Sequence, residues 1–165
     1  MKKTIFMFAA MLLAVLASCS SGGTDTKTIT PTSTEFTSGV LAKYVEVVNQ
    51  PSELTFVEKD GAISTQYICL KVTLKMVKDG FKDVAPRDIN FTGLLSVAVV
   101  NLVDENGTVV QDLDIKSDDV LKLQKLLTGN EGDTAEIIFE GEFHNPKDAP
   151  DWFKEAKQFT PYLSC

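Results

Sequence analysis

The chain is poor in the residues on which most enzyme sites depend. Its 165 residues include one histidine and three cysteines. A Ser-His-Asp or Cys-His arrangement would have to use that histidine, His144, yet no Gly-x-Ser-x-Gly elbow or comparable nucleophile sequence is present. Closely spaced Cys and His pairs, a phosphate-binding glycine loop and an HExxH helix are also missing. The sequence therefore predicts no catalytic residue, no metal site and no cofactor.

Basic residues are also scarce. Lys and Arg number 16 against 23 Asp and Glu, which gives a formal charge of −7. No basic stripe interrupts this acidity, so the chain is not expected to hold nucleic acid through counterion release. The acidity either serves solubility or favours a basic protein partner, and the sequence leaves both interpretations open.

The one long apolar run lies at the start of the chain. Two lysines precede an apolar stretch from Ile5 to Ala17, which is too short to span a bilayer comfortably. A basic head, an apolar run and small residues before a cut site are typical of a secretory signal. The run ends in Leu16-Ala17-Ser18-Cys19, which resembles the lipobox of bacterial lipoproteins.

That resemblance implies that residues 1–18 are removed as a signal peptide. It also implies that Cys19 carries a diacylglyceryl thioether and an N-linked acyl chain such as palmitate. Two or more acyl chains suffice for stable anchoring, so the expected location is the bacterial cell envelope. Ser20 after the lipidated cysteine favours the outer membrane, and the leaflet stays open. Loss of Lys2 and Lys3 takes the formal charge from −7 to −9, so the lipid must provide the attachment.

Residues 19–39 are dominated by serine, threonine, glycine and proline. Phe36 is nearly the only large apolar residue there, so the segment buries too little surface to offset its ordering entropy. The composition predicts a flexible tether reaching roughly 25 Å from the membrane. A single domain is expected over residues 40–165.

Strand patterns fill most of that domain. Between Ile63 and Val77, apolar residues alternate strictly with polar ones, which predicts a strand with one face in the core and Cys69 on the other face. Shorter strands are expected at 53–58, 94–103, 134–143 and, as an edge strand, 159–163. Asn106-Gly107 predicts a hairpin turn, which outweighs a partial resemblance to a calcium loop. Residues 117–119 predict the start of the one convincing helix.

About seven short strands, turns between them and one short helix predict an antiparallel β-sandwich. The layout resembles the immunoglobulin-like domains of small envelope lipoproteins of the Bacteroidetes type. This resemblance covers the domain only by pattern and assigns no site residues. A small closed β-barrel is the alternative, because edge strands cannot be counted from sequence.

Three sets of residues are candidates for function. Trp152 and Phe153 are adjacent aromatics that either plug the end of the fold or form a binding surface. The loops 79–90 and 145–153 are the expected contact regions. Glu140, Glu142 and His144 are the only grouping that resembles hydrolase chemistry, although alternating acids on a solvent-facing strand give the same pattern. Cys69 and Cys165 are candidates for a disulfide in an oxidising compartment.

Two function classes follow. The first is a non-catalytic envelope module that binds a protein, a glycan or a small molecule, or scaffolds an assembly, and that is attached to the membrane by its lipid. A narrower form of it is an acidic inhibitor of a basic enzyme that attacks the envelope. The second class is a carboxylate-dependent hydrolase. The sequence favours the non-catalytic module, because its acids fall on a solvent-facing strand.

Overall fold

A computed structural model describes residues 24–36, 41–59, 64–89, 98–144 and 149–163. The predicted signal peptide, Cys19 and Cys165 lie outside these residues. Short 3-10 turns occupy Leu41–Lys43, Pro86–Asp88 and Ser117–Asp119. The strands and helices of the described residues are β1 (Thr24–Pro31), β2 (Val45–Val47), β3 (Ser52–Lys59), β4 (Thr65–Met76), β5 (Ala98–Val103), β6 (Val109–Ile115), α1 (Val120–Leu127), β7 (Thr134–His144), α2 (Ala149–Glu155) and β8 (Gln158–Leu163).

Seven of these strands form one closed ring. Their order is β4-β3-β1-β8-β5-β6-β7, and β7 pairs back onto β4 to close a barrel. All neighbours in the ring are antiparallel except β1 and β8, which run parallel. The short β2 pairs with the last residues of β4. The closed barrel is therefore confirmed as the fold, whereas the immunoglobulin-like sandwich is not, because the described strands form a ring and not two packed sheets.

The predicted tether contributes a strand to this ring, so its bounds of 19–39 and the domain bounds of 40–165 were wrong. Residues 24–29 pair in register with β3, and Thr30 and Pro31 pair with β8. Ile29 and Phe36 are buried, at 3% and 5% exposed. The segment is rich in threonine, whose β-branched side chain suits a strand, and ladder hydrogen bonds need no apolar side chain. Composition alone therefore hid the strand that closes the barrel.

The alternation in β4 is confirmed. Ile68, Leu70, Val72, Leu74 and Met76 are all buried at 1% exposure or less, while Cys69 lies on the outer face. On the neighbouring strands, Leu54 and Phe139 stand opposite Leu70 and fill the same layer of the interior. The barrel interior is therefore a packed core.

The hairpin at Asn106-Gly107 is confirmed as a turn between β5 and β6. Asp104 Oδ1 accepts the backbone N–H groups of Asn106 and Thr108 at 2.8 and 2.9 Å, and Gly107 adopts φ = 80°. The predicted edge strand at 159–163 is an edge only in part, because β8 pairs with β1 at Gln158 and Phe159 and with β5 along its whole length. Pro161 is accommodated because pairing with β1 ends at Phe159.

A helix closes each end of the barrel. The predicted helix is confirmed as α1, whose Leu123, Leu126 and Leu127 are buried over one end. Residues Ala149–Glu155 form a second helix, α2, so the described part of the fold has two helices where the sequence predicted one. We call the end that α2 covers the α2 mouth; β1 and β4 begin there, and β3 and β7 end there.

Candidate functional site

The three candidate hydrolase residues lie on the outer face of β7. Each stands directly opposite a polar residue of β4: Glu140 opposite Cys69, Glu142 opposite Tyr67, and His144 opposite Thr65. Glu142 Oε1 lies 3.4 Å from the Tyr67 hydroxyl and 3.6 Å from His144 Nε2. The side chains of Glu142 and His144 are 49% and 64% exposed. The sheet thus brings the predicted residues together as a row of cross-strand pairs on its outer face.

Cys69 is the most perturbed group in that row. Burial, followed by the negative charge and hydrogen bond of Glu140, raises the pKa of its thiol from 9.0 to about 12. Cys69 Sγ donates to Glu140 Oε2 at 3.4 Å, and Lys116 Nζ lies 3.6 Å from the same oxygen. A thiol with a raised pKa is a poor nucleophile, since the thiolate is the reactive form. The disulfide between Cys69 and Cys165 stays a prediction, because Cys165 lies outside the described residues.

Trp152 and Phe153 separate into two roles on α2. Phe153 is buried at 8% exposure, with its ring centroid 5.9 Å from that of Phe56, so of the two alternatives it takes the role of a plug. Two adjacent residues of a helix point in different directions, and Trp152 is only half-buried. Its ring meets Phe143 edge-on, with centroids 5.0 Å apart. Trp152 therefore remains at the rim of the α2 mouth with part of its surface open.

Lys27 of β1 fixes the position of α2. Its Nζ donates to the carbonyl oxygens of Phe153 and, at 2.6 Å, of Ala156, and it lies 4.8 Å from the centre of the Phe153 ring. A cation at the C-terminal end of a helix satisfies carbonyls that have no partner within the helix. Burial, followed by the charge of Lys157, lowers the pKa of Lys27. β1, the strand that the sequence composition did not predict, therefore holds α2 in place over the α2 mouth.

Inside this mouth, the last interior layer of the barrel is polar. Glu58 of β3, Gln66 of β4 and Phe143 of β7 are paired across three adjacent strands. Gln66 is buried at 6% exposure, and its Nε2 donates to Glu58 Oε1 at 3.0 Å. The Ser64 hydroxyl donates to the same oxygen at 3.1 Å. We call Glu58, Gln66, Phe143 and Trp152 the mouth cluster.

The mouth cluster contains a buried acceptor without a donor. Gln66 Oε1 is the one buried side-chain nitrogen or oxygen in the described part of the chain that lacks a hydrogen-bond partner. Flipping the amide does not help, because a carboxylate only accepts and Nε2 must therefore face Glu58. An unpaired buried polar atom is costly, and in folded proteins such an atom is satisfied by a water, an ion or a bound group.

Sequence reasoning missed Glu58 and Gln66, although a signal was present. The alternation that places Leu54 and Phe56 in the core also places Glu58 inside, two residues further along β3. In β4 the same period extends backwards from Ile68 to Gln66. A polar residue at an inward position of a clear strand pattern is therefore the feature to look for.

The opposite end of the barrel offers weaker candidates. An open groove between α1 and the turn before β7 is lined by Lys122, Lys125 and Asp133 among others, and all three are exposed. Of the predicted contact loop at 79–90, the described part packs on α1, where Gly80 N and Phe81 N donate to carbonyls at its C-terminal end. Neither place contains a desolvated group that lacks a partner.

Comparisons with known proteins assign no family to this arrangement. No protein-family model, curated protein or solved structure matches the chain. Among the described residues, no helix is long and apolar enough to cross a membrane.

Proposed function

We propose that this chain is a lipid-anchored envelope protein whose barrel is a non-catalytic binding module. The anchor rests on the sequence Leu16-Ala17-Ser18-Cys19 behind a basic head and an apolar run. The binding role rests on the mouth cluster, where a buried acceptor without a donor is paired across the strands with Phe143, whose ring contacts the partly buried Trp152. The unsatisfied Gln66 Oε1 is the observation that carries the proposal most directly.

The position of β1 in the chain determines how far the barrel can lie from the proposed lipid anchor. If Cys19 is lipidated, only residues 20–23 separate it from Thr24, the first residue of β1. Five extended steps of the chain span at most about 18 Å, so the barrel is held close to the bilayer. Because β1 begins at the α2 mouth, this mouth is the end nearest the anchor. The binding module is therefore expected to present the mouth cluster towards the membrane surface.

The outer row of Glu140, Glu142 and His144 supports a non-catalytic role better than hydrolysis. General acid catalysis at neutral pH needs a carboxyl group held in an environment that excludes water. Glu142 and His144 are mainly exposed, and Glu140 is engaged with Cys69 and Lys116. Turnover of any substrate that Glu140→Gln or His144→Ala abolished, with circular dichroism unchanged, would overturn this assignment.

Lipidation is tested by replacing Cys19. We expect the unaltered protein to incorporate a palmitate analogue during growth, and Cys19→Ala to remain unlabelled and to keep its leader. Cys69→Ala is the matched control, since it removes a cysteine from the barrel and leaves the lipobox intact. Equal labelling of Cys19→Ala and the unaltered protein would contradict the anchor. Membrane separation by density then reports whether the labelled protein resides in the outer membrane.

A further inference from the structure

The mouth cluster contains hydrogen-bond acceptors that have no donor among the described residues. Glu58 Oε1 already accepts from Ser64 and Gln66, whereas Glu58 Oε2 and Gln66 Oε1 accept from no described residue. In the described part of the chain, no lysine, arginine or histidine nitrogen lies within 4 Å of the Glu58 carboxylate. Among the described residues, the cluster therefore combines a carboxylate without an ion-pair partner and a carbonyl without a donor.

Aromatic rings border these acceptors. Phe143 is the cross-strand partner of Gln66, and its ring meets that of Trp152 at a centroid distance of 5.0 Å. The faces of aromatic rings attract cations, most strongly for tryptophan. A group that donates hydrogen bonds, carries positive charge and has an apolar stem fits all three features together.

We propose that the mouth cluster binds a primary ammonium group. An ammonium offers three donors, enough for both Glu58 Oε2 and Gln66 Oε1, and its carbon stem suits the rings of Phe143 and Trp152. A neutral hydroxyl would leave the carboxylate charge uncompensated, and Ca²⁺ would require six to eight oxygen ligands. This inference rests on the proposed binding function and names its ligand class.

Two sources supply such a group near a membrane. One is a soluble alkylamine, and the other is an ethanolamine lipid headgroup, which the short link from Cys19 would bring within reach of the α2 mouth. Both present the same primary ammonium, and a titration with soluble fragments of each distinguishes them.

Trp152 provides a local readout because it is the only tryptophan in the chain. The soluble full-length mature protein, with Cys19 replaced by Ser, is titrated while its fluorescence is recorded. Butylammonium is compared with 1-butanol, butyrate and butyltrimethylammonium, which remove the charge, reverse it or remove the N–H donors. Glycerophosphoethanolamine and glycerophosphocholine form the equivalent pair for the headgroup. We expect saturable changes with the primary ammonium compounds, and binding at least about tenfold weaker for every other probe.

Two variants locate the ammonium. Glu58→Gln removes the charge inside the mouth, and Glu53→Gln makes the same change on the outer face of the same strand, where Glu53 lies 3.8 Å from Lys71. We expect Glu58→Gln to weaken butylammonium binding about tenfold or more and Glu53→Gln to stay within about twofold. Gln66→Met keeps the side-chain length and removes Oε1, so binding should fall while circular dichroism stays unchanged. If Gln66→Met does not fold, the two glutamate variants decide the question alone.

Three results would overturn the inference: no response to any ammonium compound at millimolar concentration, equal losses in Glu58→Gln and Glu53→Gln, or butanol binding as tightly as butylammonium. The third result would leave the α2 mouth as a binding site and reject only the ligand class. An absence of binding by every probe would instead remove the support for the proposed binding function. The palmitate-labelling test of Cys19 is independent of both outcomes.

Discussion

Ile29 tests whether the threonine-rich segment before residue 40 belongs to the barrel. It is 3% exposed and lies on β1 opposite Ser52 of β3, among the residues of the core. Replacing it with alanine removes three buried carbons and leaves a cavity, which typically costs 2–5 kcal/mol. We therefore expect Ile29→Ala to lower the free energy of unfolding by about 3 kcal/mol. A small domain has only about 5–15 kcal/mol in total, so this loss is large.

Urea unfolding of the soluble mature protein, followed by Trp152 fluorescence and circular dichroism, measures the effect. With a slope of about 1.5 kcal/mol per molar urea, the midpoint should fall by about 2 M. Thr28→Ala is the control, since Thr28 is exposed on the same strand and should change stability by less than about 0.5 kcal/mol. Equal midpoints for Ile29→Ala and Thr28→Ala would refute β1 and restore the flexible tether.

Four further predictions concern the outer face and the α1 end. In a variant whose only cysteine is Cys69, alkylation at pH 8 should be at least about 100-fold slower in the folded protein than in the protein unfolded by urea, because a pKa near 12 leaves little thiolate. Glu140→Gln should increase the alkylation rate of the folded protein. The pKa of Cys69 is higher in the folded protein than in the unfolded one, so the free energy of unfolding should fall as the pH rises from 9 towards 12, by at most about 1.4 kcal/mol per pH unit. Urea titrations of Cys69→Ala should not show this fall. Asp119→Ala should destabilise by about 2–3 kcal/mol, because the 3% exposed carboxylate accepts a backbone N–H of β7 at 2.7 Å; Lys122→Ala, which removes only its exposed ion-pair partner, should cost less than about 1 kcal/mol in the same assay. Thiol counting on the unreduced, unfolded protein tests the bridge from Cys69 to Cys165, and two free thiols would exclude it.

The sequence predicted best the parts of the fold where local pattern and tertiary packing agree. The period of two in β4 and the Asn106-Gly107 turn depend on side-chain alternation and on a backbone conformation that glycine favours, and both are visible in a single stretch of chain. The leucines of α1 follow the same logic with a helical period. Each of these elements was predicted correctly because nothing distant decides it.

Closure of the barrel could not be read in this way. It depends on two long-range pairings, β4 with β7 and β1 with β8, and strand patterns do not state which strands are neighbours. β1 added a second difficulty, since backbone pairing and only a few apolar side chains hold it in place. The prediction of a sandwich followed from the number of short strands and turns, a pattern that a small closed barrel shares.

The same distinction between local pattern and long-range arrangement applies to the candidate site. Sequence reasoning found residues with recognised chemistry, Glu140, Glu142 and His144, and the sheet places them on a solvent-facing row. The polar members of the mouth cluster are a glutamate and a glutamine, which are common residue types and become candidates only because they face the barrel interior. Polarity inside a barrel has a cost that must be offset by a partner, whereas polarity outside needs none. A polar residue at an inward position of a strand pattern therefore identifies a candidate binding site better than its residue type alone does.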